Sequence, residues 1–181
     1  MCIRDRTTPR LNLLYRFPST GELRVGLGRF SQAQGIHELN ASDGIQLFQR
    51  PQKANHYVLS YKQSFNHLEL KIEAYRKVTD EPAFYFENLA DPLSIVPELQ
   101  IDRTQVNPSR VAAKGIELSV SGDWRGNEFW LNYTRAAVEE TIDTNRVSRS
   151  SDQKHAANIG WSRQFRYWQL AIESTYHSGC P

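Results

Sequence analysis

Five histidines are the first side chains to test for chemistry, because imidazole is both a metal ligand and a base active near neutral pH. None stands in an H-x-x-x-H repeat or beside a cysteine, the spacings that put two ligands on one face. A metal site is therefore not expected. His56, His155 and His177 are predicted near strand ends on the long-loop side, where a ligand-contacting or purely structural histidine is expected. Glu139 and Glu140 could be imagined as an acid/base pair, but neighbours on a strand point to opposite sides. Cys2 and Cys180 offer neither a disulfide framework nor a C-x-x-C pair. No G-x-S-x-G element, phosphate-binding glycine loop or Cys/His nucleophile pattern occurs, so neither an enzyme nor a cofactor is expected. The stretch with the most recognition chemistry is Phe84-Tyr85-Phe86-Glu87-Asn88 in a long loop. Aromatic rings beside polar groups suit chelates and sugars, making these five the candidate substrate contacts; a loop core is the competing use.

The elements that would position these residues show a rhythm. Strand-like segments are joined alternately by tight turns and long polar loops. Composition alone hides this, since 181 residues with 39% hydrophobic content and a mean hydropathy of -0.60 resemble an ordinary soluble domain. A membrane barrel strand faces lipid at every second residue only, so its mean hydropathy stays low and no run of about 18 apolar residues is needed. The 22 basic and 20 acidic residues are interspersed, which gives no footprint for nucleic acid.

Eight strands are predicted, in four hairpins. The first runs over Arg10 to Phe17 and turns at Pro18-Ser19-Thr20-Gly21 into a second from Leu23, where Leu23, Val25 and Leu27 alternate with Arg24, Gly26 and Gly28. A loop from about Gln34 to Lys53 leads to a third strand, Ala54 to Phe65. Asn66-His67 then turns it into a fourth, Leu68 to about Thr79. There Leu68, Leu70, Ile72 and Ala74 oppose Glu69, Lys71 and Glu73, the cleanest period of two in the chain. Pro82, Pro92, Pro97 and Pro108 exclude a continuous central strand from the second long loop, Asp80 to Arg110. Ile116, Leu118 and Val120 mark strand five, Phe129, Leu131 and Tyr133 strand six, with Arg125-Gly126-Asn127 between them. After a third loop, Glu139 to Asp152, strand seven carries Ala157, Ile159 and Trp161. Strand eight carries Trp168, Leu170 and Ile172 beyond a turn near Gln164-Phe165-Arg166.

Pairing Trp161 with Leu170 sets Ile159 opposite Ile172 and Asn158 opposite Glu173, so apolar meets apolar and polar meets polar. The fold class expected is an all-β, antiparallel transmembrane barrel with up-and-down order, of which this chain supplies about eight strands. Glu69, Lys71, Glu73, Glu117, Asn132, Asn158 and Glu173 are expected to face the lumen, because charges facing lipid cost several kcal/mol. Trp124, Trp130, Trp161 and Trp168, all close to short turns, are expected to form an interfacial girdle on the periplasmic side.

Several short stretches in series carry a resemblance. Gly28-Arg29-Phe30-Ser31-Gln32, Ala54-Asn55-His56-Tyr57, Glu73-Ala74-Tyr75-Arg76-Lys77, Gly115-Ile116-Glu117-Leu118, Asn132-Tyr133-Thr134, Asp152-Gln153-Lys154-His155-Ala156 and His177-Ser178-Gly179 recur in this order. Together they resemble the barrel of TonB-dependent outer-membrane receptors, over about Arg10 to Gly179. In that family a barrel of about 22 strands encloses an N-terminal plug domain. The resemblance implies energy-coupled import of an iron chelate, a cobalamin or an oligosaccharide. It implies as partners outer-membrane lipid, a plug in cis and TonB acting through that plug, in the outer membrane of a Gram-negative bacterium. No plug-like or TonB-contacting stretch is recognisable here.

Residues 1–6 look like translated adapter sequence, so 1–6 is expected to be a non-native leader and 7–181 a partial barrel domain whose plug is absent. Three rivals remain open at this point: a small complete barrel in adhesion or membrane integrity, a secreted β-sandwich binding module, and a surface-anchored hydrolase.

Overall fold

A computed structural model describes residues 7–18, 20–34, 50–88, 102–150 and 152–179. The expected leader 1–6, Cys180 and the middle of the first two long loops lie outside these residues. Among the described residues the chain forms β-strands and no helix.

Eight long strands follow one another as a meander: β1 (Arg10–Arg16), β2 (Gly21–Gln32), β3 (Gln52–Phe65), β4 (Leu68–Asp80), β7 (Arg110–Trp124), β8 (Asn127–Ile142), β10 (His155–Gln164) and β11 (Gln169–His177). Three short strands sit at the loop end: β5 (Tyr85–Asn88), β6 (Arg103–Val106) and β9 (Asn145–Ser148). The long strands pair antiparallel in chain order, β1-β2-β3-β4-β7-β8-β10-β11, while β9 folds back on β8 and β5 pairs only with β6. Thus the described part of the proline-rich second loop forms a separate two-stranded hairpin beside the main sheet.

Four tight connections close one end of the sheet. Arg125 and Gly126, with φ of 50° and 75°, form the two-residue turn between β7 and β8, where two left-handed residues match the strand twist. Glycine is needed at the second position because a side chain is strained there. Asn66 and His67 make an equally short link between β3 and β4. At the β1–β2 turn the Phe17 N–H bonds to Gly21 O at 2.8 Å, and the Thr20 hydroxyl donates to Ser64 O at 2.6 Å, tying this turn to the end of β3.

The last turn corrects one expectation. Trp161 lies opposite Ile172, not Leu170, and Asn158 lies opposite Thr175, not Glu173. The cause is a wider turn: Phe165 N–H bonds to Trp168 O at 2.8 Å and the two rings stack 3.8 Å apart, so residues 165–168 are consumed before pairing begins. A slip of two residues preserves the period, and both strands keep their expected faces.

Direct pairings propagate those faces through the whole sheet. One face carries Leu13, Val25, Leu59, Ile72, Leu118, Leu131, Ile159 and Ile172. Among the described residues no second layer covers this face. Ile72 is 41% exposed, Ile116 56%, Ile159 57% and Ile172 60%, and Val78 is the sole buried hydrophobic among the described residues. A sandwich would bury one such face against a partner sheet, and among the described residues there is none. A lipid-facing wall requires an apolar exterior instead. The long strands β2, β3, β4, β7 and β8, of 12 to 16 residues, rise about 3.3 Å per residue, enough to cross a band about 25 Å tall even when tilted.

Candidate functional site

The opposite face is polar, and pairing brings all seven residues expected in the lumen onto it. Glu69 and Lys71 lie across from Ser121 and Ser119, and Glu73 across from Glu117. Like charges directly opposite each other are unfavourable, and Lys71 Nζ approaches Glu73 Oε2 at 3.0 Å to offset this. Lys62 on β3 pairs with Glu69 at 2.6 Å. Further along, Ser119 Oγ donates to Asn132 Oδ1 at 2.8 Å, Asn158 donates to Glu173 and, at 3.2 Å, to Thr175 Oγ1, and Ser162 Oγ donates to Glu128 Oε2 at 3.1 Å. The result is a wall of linked amides, hydroxyls and carboxylates. It presents hydrogen-bonding groups to whatever fills the space beside it.

The four tryptophans do not stay together. Trp124 and Trp161 are on the apolar face near the tight turns, and Trp168 is in the last turn, 57% exposed. Trp130 is on the polar face, a correction to its place in the girdle. Its neighbours Phe129 and Leu131 take the apolar side, and its indole N–H donates to Asn158 Oδ1 at 3.0 Å. The ring lies over Gly160, where a methyl group would overlap it. Period-two parity with Phe129 and Leu131 already carried this signal; proximity to a turn did not.

Phe84 to Asn88 belong to the side hairpin and its approach. Tyr85 donates its phenolic hydrogen to Glu140 Oε1 at 2.6 Å, and the Arg149 guanidinium lies 4.8 Å above its ring. Burial, followed by that hydrogen bond, raises the Tyr85 phenol well above its ordinary value. Phe84 and Phe86 meet edge to face at 5.9 Å, with Arg103 stacked 5.3 Å from Phe86. Asn88, 3% exposed, donates to Asp102 Oδ1 at 2.7 Å. Glu87 is half-buried. These contacts anchor the segment at the loop end of the sheet.

Glu140 is 4% exposed, and its Oε2 has no hydrogen-bond partner. Asp152, 1% exposed, braces the same region by accepting the Val138 N–H at 2.9 Å. Glu139 points the other way, toward Lys114 at 3.1 Å, so the two adjacent glutamates share no site. Nothing local could have flagged the Tyr85–Glu140 pair, whose members are 55 residues apart.

The histidines also stay dispersed. His155 Nδ1 shares a 2.8 Å hydrogen bond with Tyr133 Oη, and His56 packs 4.3 Å from Phe30. Among the described residues no three His, Cys, Asp or Glu side chains converge as metal ligands.

A meander of long strands with one apolar and one polar face, tight turns at one end and elaborated loops at the other, defines a wall of a transmembrane β-barrel. The family model described as TonB dependent receptor-like, beta-barrel matches residues 4–179, and the chain belongs to that family. This is a family of outer-membrane, TonB-dependent transport proteins and not of enzymes. No curated protein and no solved structure matches the chain.

Proposed function

We propose that this chain supplies part of the barrel wall and three surface loops of an outer-membrane receptor that imports a scarce nutrient too large for simple pores. In this reading the polar face, with Glu69, Lys71, Glu73, Glu117, Asn132, Asn158 and Glu173, lines the lumen and touches a plug domain in cis. TonB acts on that plug, and Trp124 and Trp161 on the apolar side, with Trp168 in the last turn, mark the periplasmic boundary. The barrel-family match over residues 4–179 is the observation that carries the proposal. The edges of β1 and β11, unpaired with each other among the described residues, favour completion by further strands of a larger barrel over a small closed one.

An iron chelate, a cobalamin or an oligosaccharide is the cargo class proposed from the family. Deleting the complete gene in its host and measuring uptake of each class tests this. Loss of one class, reproduced when TonB is removed, is the expected result. Undiminished uptake of all three classes would sink the reading.

A further inference from the structure

Four directly paired residues form a row across the polar face near the long loops: Arg10 on β1, Gly28 on β2, His56 on β3 and Lys77 on β4. Gly28 leaves a gap in the row that the Phe30 ring fills, since a methyl group there would sit 2.8 Å from the ring. The Arg10 guanidinium lies 4.4 Å from the centroid of that ring, and the His56 imidazole 4.3 Å from it. Guanidinium, phenyl, imidazole and ammonium thus follow one another over four strands. The row spans three inter-strand gaps, about 14 Å of backbone, so the two cations flank the rings.

This patch carries positive charge without a counter-ion. Arg10 and Lys77 are exposed, and neither has an ion-pair partner among the described residues. The row continues through Ala113 on β7 and Val138 on β8, which are uncharged. Glu73, four residues before Lys77 on the same side of β4, is engaged by Lys71 at 3.0 Å. Glu140, near the end of β8, accepts the Tyr85 hydrogen. His56 Nε2 is buried without a hydrogen-bond partner, so the centre of the patch also holds an unmet polar atom.

Cations beside a confined lumen attract anions more strongly than cations in open water. A guanidinium pairs with a carboxylate through two N–H donors, an ammonium acts as a point charge, and rings between them accept the planar part of a ligand. We infer that this row is a wall subsite for a negatively charged, oxygen-rich cargo: carboxylate or catecholate oxygens pair with Arg10 and Lys77, and the planar part of the cargo lies against Phe30 and His56. Of the cargo classes proposed above, it selects the anionic iron chelate. A neutral oligosaccharide or a cobalamin brings no net negative charge to meet the two cations. The inference rests on the import function and the lumen-facing side proposed above.

The test uses the complete receptor in mild detergent, titrated by calorimetry with ferric citrate, the ferric tris-catecholate of dihydroxybenzoate, neutral ferric tris-acetohydroxamate, cyanocobalamin and maltohexaose. An uptake assay with the same probes runs in parallel. An anionic chelate should bind tightest. Arg10→Gln and Lys77→Gln should each weaken that binding about tenfold, and the double variant about a hundredfold. Lys77→Arg should keep most of the affinity. Arg29→Gln removes the same charge one residue from Phe30 but on the apolar side, and should leave binding within about twofold. Tightest binding of a neutral probe, binding of neither anionic chelate, unchanged affinity in the glutamine variants or an equal loss in Arg29→Gln would overturn the inference. Should the double variant fail to assemble, a salt series on the unaltered receptor decides. Affinity for the anionic chelate that falls with salt supports the subsite, and affinity indifferent to salt refutes it. TonB-dependent import of a neutral probe, with the anionic chelates unbound, defeats this inference alone; a complete receptor that imports no probe defeats the proposed function.

Discussion

Trp130 on β8 lies across Gly160 on β10, with its indole N–H held by Asn158 Oδ1 at 3.0 Å. The same relation recurs between directly opposed residues elsewhere. Tyr75 covers Gly115, where a methyl group would sit 2.6 Å from the phenolic oxygen, and Phe129 covers Gly122. An aromatic ring folded over a cross-strand glycine fills the space that the missing side chain leaves and shields the backbone there.

Gly160→Ala should therefore cost stability although alanine is the better strand residue. The added methyl forces the indole off Asn158, and overpacking of this kind costs about 1–3 kcal/mol. Urea unfolding of the complete receptor in lipid measures it, with Trp130→Phe as comparison. Phenylalanine keeps the cover and loses one hydrogen bond, about 0.5–1.5 kcal/mol. Wild-type stability in Gly160→Ala would show that the ring does not rest there.

Removing the Tyr85 hydroxyl should loosen the loop cluster without touching the barrel. Tyr85→Phe leaves the buried Glu140 carboxylate with no donor at either oxygen, a penalty of about 1–3 kcal/mol confined to the side hairpin. Hydrogen exchange should rise over β5 and β6 while the main strands stay protected. Unchanged exchange there would mean the hairpin is held by other contacts.

That latch also has a pH signature. The Tyr85 phenol is raised by burial and by its bond to Glu140, so its stabilisation is fully present below the ordinary tyrosine value of about 10. It is lost only as pH climbs from there through the folded value. Protease cleavage within the hairpin should be flat from about pH 6 to about pH 10 and rise above that. The Tyr85→Phe variant should show no such rise.

The assignment of faces can be checked by one pair of neighbours on β7. Leu118 is on the apolar side and Ser119 on the polar side. Leu118→Arg near the middle of the apolar band should destabilise the folded barrel by about 2–4 kcal/mol, while Ser119→Arg should be tolerated. Folding yield into lipid vesicles distinguishes them, and equal effects would refute a two-sided wall.

Local pattern carried far where a residue's neighbours share its environment. Leu68 to Ala74 announced both the strand and its faces, because a pleated strand sends alternate side chains to opposite sides and only two solvents were on offer. Arg125-Gly126 announced its turn because few residues accept the left-handed conformation. The same reasoning misplaced Trp130, where nearness to a turn was weighed above parity. It also mistook the width of the last turn, since nothing in Gln164 to Trp168 announces that two rings will stack across it.

By itself, then, the sequence determined the number and order of the long strands, their two faces and the sorting of tight turns from long loops. All of these depend on interactions within a few residues of each other. Tertiary structure alone decided which distant residues meet. Tyr85 reaches Glu140, and Trp130 settles on Gly160. Those outcomes depend on cross-strand register and loop folding, which bring together groups between which the chain holds no local correlation.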